Sequence, residues 1–288
     1  MQGRTIRLGA STHDKQTFEA VDYSEGIAWR VMDNEKLIER AADLVVQARR
    51  IVVFTGAGVS TESGIPDFRS PGGIWERFDP EEFTFDKFLS SPEARKKSWE
   101  LFKDKTFRGA RPNAAHYAIA ELERMGKLDC IITQNIDNLH QEAGNSPEKV
   151  LELHGTMKYA KCLECGKRYP REEIELLLDQ GIDTPRCNEC SGLLKAATIS
   201  FGEPMPVRET SEAQQHSSRC DLFIAIGSSL VVYPAAYMPR YALEAGARLI
   251  LVNLDATHLD THADVVIRAR AGEAMARLIE RVKAKMGD

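Results

Sequence analysis

The sequence predicts a doubly wound α/β domain on a parallel sheet, with a smaller zinc-binding module inserted into it. Three observations predict this. Short, wholly apolar runs recur; helical periodicity fills the intervals between several of them; and one charged, cysteine-bearing stretch breaks the pattern. The first run, Ile51-Val52-Val53-Phe54, leads into Gly56. Cys130-Ile131-Ile132-Thr133, Leu222-Phe223-Ile224-Ala225-Ile226, Leu249-Ile250-Leu251-Val252 and Val265-Val266-Ile267 follow. Each is apolar throughout rather than alternating, as expected of parallel strands covered by helices on both faces. Leu37, Ile38, Ala41, Leu44, Val45 and Ala48 recur at helical spacing and predict a helix over about 34–49. Further helices are expected over 113–125 and 235–245. Strand–helix alternation of this kind defines the α/β class.

Residues 1–33 are polar and weakly periodic and read as a loosely held extension with one helical turn. The large domain is then expected over 34–156 and 201–288, and the inserted module over 157–200. The chain has 288 residues, enough to bury a large core without disulfides. A net charge of −5 gives no basic footprint for nucleic acid. No run of about 18 apolar residues occurs, so no membrane span is expected. Residues 1–30 lack an apolar signal core and carry Asp14, Glu19, Asp22 and Glu25, which speaks against secretory and transit peptides alike. The expected compartment is the cytoplasm, where thiols stay reduced and paired cysteines point to metal.

Cys162-x2-Cys165 and Cys187-x2-Cys190 are such pairs, 21 residues apart. Two knuckles supply four thiolates for tetrahedral zinc, with no ligand position left for catalysis. Gly166 and Gly192 follow them and suit the tight turns required. Cys130 and Cys220 lie in or beside apolar runs and read as small buried residues.

In open parallel sheets, ligands bind beyond the carboxyl ends of the strands. Polar motifs fall at such ends here. Gly56-Ala57-Gly58-Val59-Ser60-Thr61-Glu62-Ser63-Gly64 follows the first run and is expected to open a helix, whose amides favour a phosphate. Thr61 stands where the dinucleotide fingerprint has its third glycine, so the match is imperfect. Gly64-Ile65-Pro66-Asp67-Phe68-Arg69-Ser70 and Pro71-Gly72-Gly73-Ile74-Trp75 suit a lid over a ligand. Thr133-Gln134-Asn135-Ile136-Asp137 ends the second run, where capping by Asn135 or Asp137 is the plain alternative. Leu151-Glu152-Leu153-His154-Gly155 carries a histidine that can serve as a base near neutral pH. His140 reads as structural.

GAGVSTESGIPDFR, fourteen consecutive residues, resembles the cofactor signature of the sirtuin family of NAD-dependent protein deacylases. TQNIDNLHQEAG, ELHG around His154, ISFGE at 199–203 and GSSL at 227–230 resemble further sirtuin segments, in the family's order, over about 34–272. The resemblance implies a Rossmann-like NAD domain with an inserted zinc ribbon. It implies that NAD is held by Gly56, Ala57, Gly58, Thr61, Ile65, Asp67, Phe68, Arg69, Gln134, Asn135, Ile136 and Asp137. Gly227, Ser228, Ser229, Asn253, Leu254, Asp255 and Ala271 would take the phosphate and adenosine side. His154 and Asn135 would be catalytic. Ile199, Phe201, Gly202 and Glu203 would bind the acyl-lysine peptide by strand addition. Two departures stand out: Lys195-Ala196 replaces the usual Arg-Pro, and Ser200 replaces a commonly apolar residue.

The implied reaction starts with attack of the acyl oxygen on the ribose C1′ as nicotinamide leaves. His154 then acts as base on a ribose hydroxyl, and water completes release of lysine and O-acyl-ADP-ribose. Arg95-Lys96-Lys97-Ser98-Trp99-Glu100-Leu101-Phe102 lacks the Tyr-x-x-Arg pair of members that prefer acidic acyl groups, so a neutral acyl group, acetyl by default, is expected. The rival reading is a protein mono-ADP-ribosyltransferase with the same C1′ chemistry. A non-catalytic NAD- or zinc-dependent module would leave His154 unused, and a dehydrogenase would leave the zinc insert unexplained.

Overall fold

The computed structural model describes residues 34–287. The extension expected over 1–33 lies outside them. Six parallel strands form the main sheet: β1 (Ile51–Thr55), β2 (Leu128–Thr133), β3 (Val150–Glu152), β7 (Leu222–Ile226), β8 (Arg248–Val252) and β9 (Val265–Ile267). Their order is β3-β2-β1-β7-β8-β9. The chain winds outward from β1 to β3, then returns to the other side of β1 and winds outward again. The switch falls between β1 and β7, where such sheets open a crevice.

Strand residues divide strictly between the two faces. Ile51 and Val53 pack with Ile131, Ile224 and Ile250 against the helices Asn34–Gln47, Ala114–Arg124 and Ala271–Met286. Val52 and Phe54 pack with Ile132, Phe223 and Leu251 against Ala213, Met238 and Ala242 of helices on the other side. This is the period-2 geometry of a strand buried on both faces, and it is why the runs are apolar without alternation.

A second sheet, β5-β4-β6, is antiparallel: β4 (Gly155–Cys162), β5 (Arg168–Pro170) and β6 (Leu194–Thr198). It shares its own core with Ile174 and Leu178 of the helix Arg171–Asp179 and with Trp99 and Phe102 of the helix Pro92–Phe102. Sequence periodicity does not reveal that last partnership, because it joins segments far apart in the chain.

Two expectations need correction. The glycine turn after β1 does not open an α-helix. It makes two single 3-10 turns, Ala57–Val59 and Thr61–Ser63. Gly64 then takes a left-handed φ of 85°, and Ile65 precedes proline, which disfavours helical backbone. The segment 235–245 likewise begins as a 3-10 turn, Ala235–Tyr237, before the helix Met238–Glu244. Among the described residues no helix is long and apolar enough to cross a membrane.

Candidate functional site

At the switch point the ends of β1 and β7 touch through backbone. A Cβ on Gly56 would lie 2.7 Å from the Gly227 carbonyl oxygen, and one on Gly58 would lie 2.8 Å from the Gly227 Cα. The Gly58 amide donates to the Gly227 carbonyl at 2.8 Å. Glycine is needed here for close approach, and the same bareness leaves room for a ligand against the chain.

A cleft of about 770 Å³ opens over this crossing. Gly56, Ala57, Gly58, Thr61, Asp67, Phe68 and Arg69 line it from β1 and the following loop. Gln134, Asn135 and Ile136 come from the end of β2, and His154 from the turn after β3. Ile199, Phe201, Gly202 and Glu203 come from the segment after β6. Gly227, Ser228 and Ser229 follow β7; Asn253, Leu254 and Asp255 follow β8; Ala271 opens the last helix. Segments from across the chain thus meet in one cavity.

Ile65 and Asp137 stand behind the wall instead. Ile65 is 5% exposed and packs on Ala110 and Leu139. The Asp137 carboxylate accepts the Ser60 hydroxyl at 2.7 Å and the Leu139 amide at 3.0 Å. Burial pushes its pKa up, against these hydrogen bonds.

The polar side chains of the cleft are held by one another. Gln134 donates to Ser228 Oγ at 2.9 Å, tying β2 to β7. Asn135 is buried, and its amide donates to the Gly56 carbonyl and to Ser60 Oγ. Such locked rotamers remove the entropy cost of orienting a substrate. His154 Nδ1 lies 3.1 Å from the Gln134 carbonyl. A carbonyl only accepts, so Nδ1 carries the proton and Nε2 is the basic nitrogen. Burial lowers the His154 pKa, partly opposed by that carbonyl, so the imidazole is neutral near pH 7.

The loop over the cleft is built on Asp67. Its carboxylate accepts the amides of Arg69 at 2.9 Å and Ser70 at 2.7 Å. Burial raises its pKa, but the Ser70 and Arg69 hydrogen bonds and the Arg69 charge outweigh it, leaving the carboxyl below its usual range. Phe68 rests on Trp75 at 5.2 Å, and Trp75 in turn faces Phe83 and Phe201.

Sequence reasoning missed several lining residues: Glu62, Phe83, Met205, Tyr233 and Arg270 among them. Glu62 accepts the Gly272 amide at 2.6 Å at the start of the last helix. Glu62 stands inside the glycine motif, where the resemblance implies no role for it; Phe83, Met205, Tyr233 and Arg270 lie outside the motifs, and only the tertiary fold brings them to the cleft. His140, by contrast, is in the core with Nε2 2.9 Å from Thr55 Oγ1.

The four knuckle thiols also converge. Cys162, Cys165, Cys187 and Cys190 have all their sulfurs within 4.8 Å of one another. The pairs Cys162–Cys190 and Cys165–Cys187 stand 3.5 and 3.6 Å apart. Tetrahedral zinc with thiolate bonds near 2.3 Å requires sulfurs about 3.8 Å apart, so the donor set fits. Gly192 is required here, since a Cβ would lie 2.9 Å from Cys162 Sγ and closer still to Glu164. Tyr169 orients Cys187, its hydroxyl 3.1 Å from the sulfur, and accepts the Asn188 amide. Cys130 and Cys220 are buried far from this cluster's chemistry, in the core of the main sheet.

Comparison with known proteins agrees with this geometry. Residues 56–234 match the sequence model of the Sir2 family. The NAD-dependent protein deacetylase 1 of Bradyrhizobium diazoefficiens is 51% identical over 240 residues, covering 83% of this chain and 93% of that protein. The NAD-dependent protein deacylase 2 of Archaeoglobus fulgidus is 47% identical, covering 86% and 97%. A solved Sir2 enzyme superposes with a TM-score of 0.79 at 45% identity, over 87% of this chain and 99% of that one. A Sir2 complex with a deacetylated p53 peptide and 3′-O-acetyl ADP ribose gives 0.77 at 38%, over 87% and 98%. The chain belongs to the Sir2 family.

Proposed function

We propose that this protein is an NAD-dependent protein-lysine deacetylase that consumes NAD and yields nicotinamide, free lysine and O-acyl-ADP-ribose. One observation carries the reading: a neutral His154 with a basic Nε2 stands in the same cleft as the glycine crossing and the segment 199–203.

The residues divide the work along the cleft. The glycine crossing receives the dinucleotide phosphates, where bare backbone lets an anion approach, and Ala271 lines the phosphate and adenosine side. Ser228, Ser229, Asn253, Leu254 and Asp255 hold the adenosine side. Asn135 and Gln134 orient the nicotinamide ribose, while Asp137 and Ile65 form the wall behind it. Phe68 and Arg69 close the loop over the reacting centre and exclude water. The acyl-lysine peptide adds as a strand along 199–203, with Phe201 lining its channel. His154 Nε2 takes the proton of a ribose hydroxyl, which makes that oxygen a nucleophile toward the acyl carbon. The four cysteines hold structural zinc, which folds the small sheet and takes no part in the reaction. We place the activity in the cytoplasm, where thiolates stay reduced.

Phe68, Trp75, Phe83, Leu101 and Phe201 give the cleft an apolar wall. Arg95 is engaged with the carbonyls of Phe88 and Leu89. Neither feature offers a partner to an acidic acyl group, and Arg69 of the same cleft is assigned to NAD, so a neutral acyl chain is the expected substrate.

The test is incubation with NAD and a panel of acyl-lysine peptides, with mass analysis of every product. Free lysine peptide and O-acyl-ADP-ribose in equal amounts are expected. ADP-ribosylated protein without deacylated peptide would overturn the reading in favour of a transferase.

A further inference from the structure

Lysine is rarely fully buried without a partner. Lys195 on β6 is 4% exposed, and it does not line the cleft. Its ammonium has three N–H donors, and three acceptors lie within reach. Glu203 Oε2 is at 2.9 Å, the Thr198 carbonyl at 2.5 Å and the Ala196 carbonyl at 3.4 Å. The ring of Phe88 flanks it at 5.9 Å. Burial draws the Lys195 pKa below the ordinary lysine value, with Glu203 opposing.

The same Glu203 oxygen accepts the Ser200 amide at 2.9 Å. Ammonium, carboxylate and backbone amide therefore meet at one atom. Ser200 to Glu203 form a tight turn: the Glu203 amide donates to the Ser200 carbonyl at 3.0 Å, and Gly202 has a φ of 81° at its third position. A turn of this type takes glycine there because φ is positive. It presents Phe201, 47% exposed, to the cleft. Ile199, just before the turn, donates its amide to the His154 carbonyl at 2.8 Å. The Phe201 carbonyl is held by the Phe85 amide at 2.8 Å. Every one of these bonds sets the shape of the segment that faces the peptide. A compact ammonium with rotatable donors can gather two carbonyls and a carboxylate at once.

We propose that Lys195 is a positioning residue for the acyl-lysine peptide: acting through Glu203, it holds the turn 200–203 so that Ile199 and Phe201 meet the peptide. It touches neither the peptide nor NAD. The proposal rests on the reading of this cleft as the acyl-peptide site.

The experiment compares the wild-type protein with Lys195→Met and Lys195→Arg by three readouts. Steady-state kinetics gives KM and kcat for an acetyl-lysine peptide, calorimetry gives the Kd for NAD, and hydrogen exchange reports the Ser200 amide. In Lys195→Met the peptide KM should rise on the order of tenfold, as when a binding segment is slightly misplaced by a change behind it. The NAD Kd should stay within about twofold, because the site is separate. Exchange at Ser200 should accelerate, and Lys195→Arg, which keeps the charge but not the compact rotatable head, should recover part of both effects. A rise in peptide KM accompanied by an equal fall in kcat and in NAD affinity would reduce Lys195 to a general stabilising residue and overturn the proposal; so would an unchanged peptide KM. Should Lys195→Met fail to fold, Lys195→Gln, which keeps a polar head but removes the charge, carries the same comparison without touching the cleft lining. The Ser200 exchange readout needs no turnover. It therefore separates failure of this clamp from failure of the deacetylase reading, which would show as no deacylation by the wild-type protein.

Discussion

The two sheets of this protein solve the same problem by different means. The main sheet buries both of its faces. Val52 and Phe54 on one side, and Ile51 and Val53 on the other, are completely enclosed. Its stability comes from apolar area, at about 25 cal/mol per Å². The small sheet has a thinner core, where Tyr169, Ile174 and Leu194 share the interior with Cys162 and Cys187. Four converging thiols do there what area does in the main sheet. The contrast reaches the cleft: the strand ends of the main sheet supply much of its lining, while β6 leads from the four-thiol sheet straight into segment 199–203. In the proposed reading, zinc and peptide binding are joined through this one strand.

The largest expected effect tests that contrast. Removing a ligand in Cys187→Ser, or chelating the metal, should unfold the small sheet, because zinc-binding free energies of about 10 kcal/mol or more are folding free energies in such modules. Limited proteolysis should cut within 157–200 while the main sheet keeps its circular dichroism. Folded protein that contains no zinc by elemental analysis would break the comparison.

Next in size is Phe54→Ala. Deleting a fully buried phenylalanine should cost about 3–5 kcal/mol, measured by denaturant unfolding. The loss should leave the zinc content unchanged, which sharpens the distinction between the two regions.

A somewhat smaller effect is expected from acid. His116 is completely enclosed, with its Nε2 unpartnered among the described residues, and burial lowers its pKa to about 4. The folded value lies below the unfolded one. Its stabilising contribution is thus whole above about pH 6.5 and is lost as pH falls toward 4, roughly 3 kcal/mol in all. Unfolding free energy measured between pH 7 and 4 should show this slope in the wild type and less of it in His116→Gln.

The smallest is a preference rather than a loss. Acetyl-lysine peptide should turn over faster than its succinyl counterpart, since the wall of Phe68, Trp75 and Phe201 is uncharged and the neighbouring Arg69 is assigned to NAD. Faster succinyl turnover would contradict the neutral-acyl assignment.

Much of this architecture is legible in the amino-acid sequence. The five apolar runs form β1, β2, β7, β8 and β9, because a strand covered on both faces must be apolar at every position. Cysteine spacing alone points to a four-thiol cluster. Other features are hidden for physical reasons. The strand β3, Val150–Glu152, is three residues long and overlaps the His154 motif, so no periodicity can show it. The 3-10 turns after β1 depend on Gly64 and Pro66 overriding a helix-like opening. The packing of Trp99 and Phe102 on the small sheet, the arrival of Arg270 at the cleft, and the meeting of Lys195 with Glu203 are all tertiary events. The departure at Lys195 is visible in the sequence, but its partner is not.

The central claim is that His154 acts as the base in a cleft that binds NAD independently of it. The direct measurement is His154→Ala assayed twice: NAD affinity by calorimetry, and product formation by mass spectrometry with an acetyl-lysine peptide. The account predicts an unchanged Kd and loss of O-acetyl-ADP-ribose formation by about 10²- to 10⁴-fold, the usual contribution of a general base. Full turnover by the variant would contradict it.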